Sequence, residues 1–249
     1  MPQRTPQSRP EIRPRAFAYL LDTTTLDAVL AMQRRLIYDL EQSGDAALIL
    51  CEHTPALTIG RNGSLAHIRT DDETGGFGET LPRFVSRGGG CWLHTPGQVA
   101  GYLIGDLARL AESPEDYLAR LENSLIEALA DFDVRADRGR THSGLFVGGK
   151  RIAALGLSVM RNMVHFGFLL NVGPFLRPFD VIVEPGTDDR PIRQTSMEAV
   201  RGRPVEPSRL RSRLIERIRE GFDLEPGPVY VESPGLTTMP EVCESHVCR

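Results

Sequence analysis

Hydrophobic and polar positions follow two different periodicities along this chain, and each predicts a different kind of element. Short apolar runs have the length and composition of buried strands at residues 16–21, 46–51 and 99–104. Apolar side chains are spaced instead like one face of a helix over residues 26–40 and 208–222. The clearest helix is predicted for residues 114–132, with Ser113 as its N-cap and acidic residues in its first turn.

The second half of the chain is dominated by strand patterns. Apolar runs at residues 144–147 and 152–159 flank Gly148-Gly149, a dipeptide typical of a hairpin turn, and a third run covers residues 164–172. Because strands outnumber helices and cluster in hairpins, the predicted fold class is α+β, with a mostly antiparallel or mixed sheet flanked by helices. One main domain is expected over residues 16–222, between a disordered leader (1–15) and a loosely packed tail (223–249).

Composition narrows the functional classes. The chain has 249 residues and a net charge of −4, which argues against nucleic-acid binding as its main activity. No apolar run reaches the length of a membrane span, so no membrane partner is expected. The four cysteines do not form the pattern of a disulfide-stapled secreted domain, and a cytoplasmic protein is therefore predicted.

A glycine-rich stretch at residues 86–98 is the strongest candidate for function. Gly88, Gly89 and Gly90 are consecutive, and glycine weakens a strand while offering nothing to pack. Glycine does allow unusual backbone angles and close approach of another group to the main chain. With Arg87 and His94 on either side, the stretch is either a cradle for an extended or anionic ligand or a bulged turn that needs glycine for its dihedral angles.

Three segments, in this order, resemble the octanoyltransferases of lipoate biosynthesis, which belong to the biotin/lipoate ligase superfamily. The first runs from Glu52-His53-Thr54-Pro55 to Thr58-Ile59-Gly60-Arg61. The second runs from Arg87-Gly88-Gly89 through His94 to Pro96-Gly97-Gln98. The third is Ile152-Ala153-Ala154-Leu155-Gly156 followed by Gly167-Phe168-Leu169-Leu170-Asn171-Val172. The resemblance covers residues 16–222 and implies a biotin/lipoate protein ligase-like catalytic domain.

The resemblance implies transfer of an octanoyl group from acyl carrier protein to a lysine of a lipoyl domain. Such acceptors belong to 2-oxoacid dehydrogenases or are the glycine cleavage H protein, and no cofactor or metal is expected. The family uses a cysteine nucleophile that forms an acyl-thioester intermediate, assisted by a lysine. A thiolate attacks thioesters readily, and a nearby cation lowers the pKa of the thiol.

The chain departs from the family at these two positions. Counting from Asn171 without gaps, the cysteine position is Pro185, which has no nucleophilic atom. The lysine position is Arg151, and Lys150 is one residue earlier. An offset of one residue in a strand turns the side chain to the opposite face, so Lys150 is not a simple substitute. Nearby, Phe166 replaces the histidine of a family His-Gly pair and Trp92 replaces a threonine.

Several hypotheses remain open for the chemistry. Cys91 is an alternative nucleophile aided by Arg87 or His94, or it is a small strand residue on the face opposite His94. A variant of this hypothesis needs no nucleophile on the protein: the acceptor lysine attacks the bound thioester directly, with His94 as base or orienting group. In another hypothesis, the protein is a pseudo-enzyme that binds acyl chains, acyl carrier protein or a lipoyl domain without turnover. In the last hypothesis, the protein is a ligase-like relative that uses an activated acyl donor.

The remaining predicted site residues come from the same segments. Catalytic candidates are Cys91, His94, Lys150 and Arg151. The resemblance places the acyl pocket along Arg87, Gly88, Gly89, Gly90, Cys91, Trp92, Leu93, His94, Ala154, Leu155, Gly156, Gly167, Phe168 and Leu169. In the tail, Cys243, His246 and Cys248 are a weak candidate for a metal site or a disulfide, against the alternative of a solvated tail.

Overall fold

A computed structural model describes residues 13–69, 81–139, 143–183 and 191–231. The strands are β1 (Arg15–Thr24), β2 (Ala46–His53), β3 (Ala56–Ile59), β4 (Arg83–Phe84), β5 (Cys91–His94), β6 (Gln98–Asp106), β7 (Asp137–Arg138), β8 (Leu145–Val147), β9 (Lys150–Met160), β10 (Met163–Asn171) and β11 (Glu225–Val231). The helices are α1 (Leu26–Ser43), α2 (Leu107–Leu110), α3 (Pro114–Ala130), α4 (Met197–Arg201) and α5 (Pro207–Gly221). Short 3-10 helices lie at Leu65–His67 and Arg177–Val181.

Two sheets organise these elements. The larger has eight strands in the order β11-β1-β2-β6-β10-β9-β8-β7, and the smaller has three in the order β4-β3-β5. β1 pairs in parallel with both β2 and β11, whereas the ladders from β2 through β6, β10, β9 and β8 to β7 are antiparallel. The predicted α+β class with a mixed sheet flanked by helices is therefore confirmed.

The large sheet buries both of its faces. Side chains alternate along a strand, so neighbours in β2 such as Leu48 and Ile49 belong to different cores. One core lies under α3 and α5, and the other lies under α1 and next to the small sheet. Because β2, β6 and β10 are covered on both sides, their sequences read as nearly continuous apolar runs.

The helices begin where the capping residues predict. Ser113 caps α3 by accepting a hydrogen bond from the Asp116 amide, and Pro114 occupies the first turn, as expected from the sequence. Thr25 caps α1 through the amide of Ala28, and Gly44 ends it in the left-handed conformation at φ 70°. In the described ranges, no helix combines the length and the apolar character needed to cross a bilayer.

The chain crosses between the two sheets twice at one corner. β2 leads into β3 through Thr54-Pro55, and β5 leads into β6 through a turn with Gly97 at φ 87°. The Gly97 amide donates to Glu52 Oε2 at 2.9 Å, and its carbonyl accepts from the amides of Val172 and Gly173 at 3.0 and 2.9 Å. This corner brings together the ends of β2, β5, β6 and β10, and with them the segments that carry the sequence motifs.

The predicted boundaries need one correction. The tail from residue 223 onward is not loosely packed at its start, because β11 adds a parallel strand to β1 at the edge of the large sheet. The sequence of β11 contains two prolines and a glycine, so it lacks a recognisable strand pattern. These residues are rare inside strands but tolerated at the edge of a sheet. At the other end, β1 begins at Arg15. Residues 1–12 and 232–249, including Cys243, His246 and Cys248, lie outside the described residues.

Packing of β11 against β1 gives a stability prediction. Tyr230 stacks on Tyr19 with ring centroids 5.1 Å apart. We expect Tyr230→Ala to lower the free energy of unfolding by about 1–2 kcal/mol, because the substitution removes a partly buried aromatic pair. Urea denaturation measures the change. Val231→Ala is the matched control, since Val231 is 68% exposed and should change stability by less than about 0.5 kcal/mol. Equal effects of the two substitutions would contradict the packing of β11.

Candidate functional site

The glycine stretch forms a loop pressed against two neighbouring segments. The amides of Gly60, Arg61 and Asn62 donate to the carbonyls of Gly90, Arg87 and Gly89 at 2.9–3.1 Å, and the Gly88 amide donates to Leu157 of β9 at 2.8 Å. A Cβ added at Gly60 would lie 2.5 Å from the Gly89 oxygen, and one at Gly156 would lie 2.6 Å from the Gly88 oxygen. Close backbone packing therefore accounts for Gly60 and Gly156, and a φ of 82° accounts for Gly89.

Arg87 holds this loop from the inside. Its side chain is only 1% exposed. Nη1 donates to the carbonyls of Gly88 and Gly90 at 2.9 and 3.0 Å, and Nη2 donates to Thr58 Oγ1 and Thr58 O at 2.8 and 3.3 Å. The guanidinium also lies 3.6 Å from the centroid of the Trp92 ring. The loop carbonyls thus accept hydrogen bonds from Arg87 and from the Gly60 segment, which hold the loop from two sides.

A cleft lies beside the loop, between β5, the ends of β9 and β10, and the segment around Arg177–Val181. It is narrow, with a cavity volume of about 30 Å³. Its lining residues are Cys91, Trp92, Leu93, Gln98, Arg151, Ala154, Leu169, Asn171, Phe179, Ile182, Ile192 and Gln194. Because β5 is an edge strand of the small sheet, residues from both of its faces border the cleft. The cleft combines an apolar wall with a compact polar group of side chains.

The polar group is a chain of amides from three separate segments. Gln98 Nε2 donates to Asn171 Oδ1 at 2.9 Å, while Gln98 Oε1 accepts from the Thr95 amide at 2.9 Å. Asn171 Nδ2 donates to the Thr195 carbonyl at 3.0 Å and to Gln194 Oε1 at 3.3 Å. Each amide orients the next, so their positions are defined before any ligand binds.

Arg151 and Lys150 occupy different environments at the start of β9. Arg151 is 5% exposed and lines the cleft, and its guanidinium lies 5.4 Å from the centroid of the Phe146 ring. Its amide and carbonyl bond the backbone of Arg193 and Thr195 at 2.8 Å each, which ties β9 to the amide chain. Lys150 is exposed, as strand alternation requires. The cation at the cleft is therefore the Arg151 guanidinium and not the Lys150 amine.

The two cysteines of the described residues are both buried. Cys91 is 3% exposed, borders the cleft and lies 3.6 Å through Sγ from the Ser64 carbonyl oxygen. It packs with the apolar cluster of the small sheet, and strand alternation places it on the face opposite His94. Cys51 lies 3.6 Å from His53 Nε2, and burial raises the pKa of its thiol to about 12. Cys51 is therefore a protonated core residue.

His94 lies behind the cleft, in a buried polar cluster between the sheets. Its Nε2 is 3.1 Å from Thr58 Oγ1, and its ring meets that of His53 edge-on at 5.2 Å. His53 Nδ1 is 3.2 Å from the Thr24 carbonyl, which only accepts, so Nδ1 carries the proton and Nε2 accepts from the Tyr102 hydroxyl at 2.7 Å. Burial, followed by the charges of His53 and Arg87, holds the pKa of His94 well below its usual range. Both histidines are neutral parts of the core.

The other predicted pocket residues divide between the two faces of the sheet. Ala154 and Leu169 line the cleft, whereas Leu155 and Phe168 point into the core under α3 and α5. Gly167 allows β10 to approach β6, since a Cβ there would lie 2.2 Å from the Gly101 oxygen. Motif membership alone did not distinguish these roles, but strand alternation does.

Sequence reasoning assigned no role to Gln98, Asn171 or Gln194. Gln98 and Asn171 lie within the segments that resemble the octanoyltransferase family. The signal in the sequence was their position, since each is a polar residue at the end of an apolar strand. Pro185 lies outside the described residues. Within the described ranges, no three His, Cys, Asp or Glu side chains are grouped to hold a metal ion.

Comparison with known families and proteins identifies the family to which this chain belongs. The family model described as "Lipoyl protein ligase A/B catalytic domain" matches residues 26–219. An octanoyltransferase of Acidobacterium capsulatum is 35% identical over 223 residues, covering 83% of this chain and 89% of that protein. An octanoyltransferase of Xanthomonas campestris is 34% identical over 194 residues, covering 78% and 79%.

Solved structures share the fold at low sequence identity. A lipoate-protein ligase A bound with ATP superimposes with a TM-score of 0.70 at 14% identity, over 90% of each chain. A bipartite lipoate protein ligase from Thermoplasma acidophilum gives a TM-score of 0.70 at 15% identity, over 89% of each chain. These similarities establish the architecture, and the chemistry has to be argued from the residues of the cleft.

The internal role of Arg87 can be tested by a conservative substitution. We expect Arg87→Lys to lower the free energy of unfolding by about 2–4 kcal/mol, because one ammonium group cannot serve acceptors on both the loop and Thr58 while stacking on Trp92. Urea denaturation measures the loss. Arg61→Lys is the control, since Arg61 is exposed, and its effect should stay below about 0.5 kcal/mol. Similar stability of the two variants would show that Arg87 does not hold the loop.

The buried histidines predict a pH dependence of stability. Burial lowers the pKa of both His53 and His94 in the folded protein. Below the unfolded pKa of about 6.5 the unfolded chain therefore binds more protons, and the free energy of unfolding falls as pH falls. The loss is up to about 1.4 kcal/mol per pH unit for each histidine.

Urea denaturation between about pH 8 and pH 5.5 measures this slope. The double variant with His53→Gln and His94→Gln should show a shallower slope over the same range. Part of the slope should remain, because burial also lowers the pKa of His165. Stability that rises as the pH falls through 6.5 would overturn the assignment of His53 and His94 as neutral core residues.

Proposed function

Because the chain belongs to the lipoyl protein ligase A/B catalytic domain family, we propose that it is an octanoyltransferase of lipoate biosynthesis. The donor is octanoyl-acyl carrier protein, and the acceptor is a lysine on the lipoyl domain of a 2-oxoacid dehydrogenase or on the glycine cleavage H protein. The observation that carries the proposal is the cleft itself. Its apolar wall suits an alkyl chain, and its oriented amides and Arg151 suit a thioester carbonyl.

The residues of the cleft favour direct transfer to the acceptor lysine. The neutral amine attacks the thioester carbonyl carbon, a C–N bond forms, and the C–S bond then breaks. The proton lost by the amine nitrogen goes to the leaving thiolate, so the products are an amide and a thiol. The Arg151 guanidinium stabilises the negative charge that develops on the carbonyl oxygen, which is a role for a fixed cation and not for a base.

Covalent catalysis finds less support in the same residues. The family position for the nucleophile is Pro185, which has no nucleophilic atom. Cys51 is a buried thiol with a raised pKa, and Cys91 lies on the opposite strand face from His94. In the direct route, alignment of the two substrates in the cleft supplies the rate acceleration.

A pseudo-enzyme that binds the same partners without turnover is the second candidate. The observation in its favour is the joint replacement of both special family positions, by Pro185 and Arg151, in a chain that keeps the surrounding segments. In this hypothesis the cleft binds an acyl chain or the protein that carries it. We place either activity in the cytoplasm, with no nucleic-acid or membrane partner.

Intact-mass spectrometry with octanoyl-acyl carrier protein and an apo lipoyl domain tests these alternatives. We expect an octanoylated lipoyl domain at a rate above a blank without enzyme, and no octanoyl adduct on the protein itself. Arg151→Ala should lower kcat at least about tenfold, since it removes a charge at the developing oxyanion. Lys150→Ala is the matched control and should remain near the parent rate, because Lys150 is exposed and does not line the cleft.

Two outcomes would change the conclusion. An octanoyl adduct on Cys91, with loss of turnover in Cys91→Ser, would show a relocated nucleophile and contradict direct transfer. Binding of either protein substrate without any product would favour the pseudo-enzyme.

A further inference from the structure

Trp92 stands at the end of the apolar wall of the cleft that is farther from the polar amides. It is the only tryptophan of the sequence, is 6% exposed, and packs in one core with the cleft residues Ala154 and Leu169. A Cβ added at Gly156 would lie 3.1 Å from Trp92 Cζ2, so the indole contacts β9 at Gly156. Gly156 is two residues beyond Ala154 and therefore faces the same side of the sheet.

Strand register gives the length of this wall. Asn171, at the polar end, is two residues from Leu169 on β10, and Leu169 pairs with Ala154 on β9. Gly156 is two residues from Ala154 in the opposite direction. Four strand steps of about 3.3 Å thus separate the level of Asn171 from that of the indole, about 13 Å in all.

That length can be compared with the length of an acyl chain. Each C–C bond of about 1.5 Å advances an extended chain by about 1.25 Å, so eight carbons span about 9 Å and twelve span about 14 Å. The ends of the chain also need van der Waals contact distances of about 3.5–4 Å. The wall between the amides and the indole therefore fits eight carbons and not twelve.

The indole is held in place from outside the cleft. The Arg87 guanidinium, which does not line the cleft, lies 3.6 Å from the centroid of the Trp92 ring. Arg87 is itself bonded to the glycine loop and to Thr58 of β3. A ring packed between a fixed guanidinium and the backbone of β9 does not turn aside for a longer chain, because the interior is close-packed.

The facing wall is built differently. Phe179 and Ile182 line it from the 3-10 helix at Arg177–Val181 and the residue that follows, outside the strands of both sheets. The cavity volume of about 30 Å³ between the walls is roughly the room of one water molecule. An acyl chain therefore needs additional width, which the ladder hydrogen bonds of β9 and β10 do not allow on the strand side.

We propose that Trp92 determines the length of the acyl chain that is transferred. The last carbon of an eight-carbon chain contacts the indole, and the carbonyl group lies at the amides and Arg151. The chain gains its width at the wall of Phe179 and Ile182, while its length stays limited by Trp92. This inference rests on the proposed function, because it names the residue that selects the transferred group.

Competition among acyl donors tests this role. A lipoyl domain receives equal amounts of octanoyl-, decanoyl- and dodecanoyl-acyl carrier protein, and intact-mass spectrometry gives the ratio of the products. The parent should transfer octanoyl at least about tenfold faster than dodecanoyl, because four additional methylene groups meet a rigid wall. Trp92→Leu should change this ratio at least about tenfold in favour of dodecanoyl, since the smaller side chain opens the end of the wall. Trp92→Phe should give an intermediate ratio.

Leu169→Val is the matched control. Leu169 lines the same wall midway between its ends, so the substitution should lower the rates with all three donors by a similar factor and keep their ratio within about twofold of the parent. The ratio distinguishes selection from a merely structural role, because a loss of folded protein lowers all three rates equally. An unchanged ratio in Trp92→Leu would overturn the proposal.

Calorimetry with free fatty acids below their micelle concentrations separates this inference from the proposed function. Octanoate should bind the parent more tightly than dodecanoate, and Trp92→Leu should reverse that order. The reversal without octanoyl transfer would retain the role of Trp92 and remove the transferase function. Octanoyl transfer with the same donor ratio in the parent and Trp92→Leu would retain the function and remove the role of Trp92. The absence of both binding and transfer would overturn both.

The fluorescence of Trp92 reports where the chain lies. Because the sequence has one tryptophan, octanoate that contacts the indole should change the emission of the parent, with a midpoint at the Kd from calorimetry. Binding that leaves the emission unchanged would place the chain elsewhere and contradict the proposal.

Discussion

The buried guanidinium of Arg87 is the interaction on which the site depends. A cation in the interior is tolerated only when its hydrogen bonds are satisfied, and Arg87 meets acceptors on its own loop and on Thr58 of β3 while stacking on Trp92 of β5. It thereby fixes the distance between the glycine loop and the small sheet. That distance sets where the edge of β5 lies, and with it one wall of the cleft.

A second constraint is the pairing of β9 with the segment that carries Gln194. Backbone hydrogen bonds join Arg151 to Arg193 and Thr195, so the cation and the amide chain form one rigid unit. The Arg151 guanidinium brings a planar set of donors to this unit. Such a group stabilises negative charge on an oxygen but does not exchange protons. In the proposed acyl transfer, Arg151 supplies the electrostatic part and the proton passes between the substrates.

The sequence predicted much of the fold because its signals are local. The cap of α3, the Gly148-Gly149 turn and the central apolar strands all follow from residues close together in the chain. β11 was missed because proline and glycine obscure its pattern, and only the edge of β1 makes it a strand. The motif segments border the candidate cleft, but they do not specify the face of each strand that lines it. Leu155 and Phe168 stand beside Ala154 and Leu169 in sequence and belong to opposite cores.

By itself, the sequence determined the element types and the order and spacing of the motifs, since each depends only on residue identity and position. The tertiary structure decided which side chains meet. Gln98, Asn171 and Gln194 come from distant segments and form one chain of hydrogen bonds, and Gln33 of α1 meets the backbone of Phe166 in β10. Such contacts depend on strand register and on helix placement. No local periodicity encodes these, because they are set by the packing of the whole sheet.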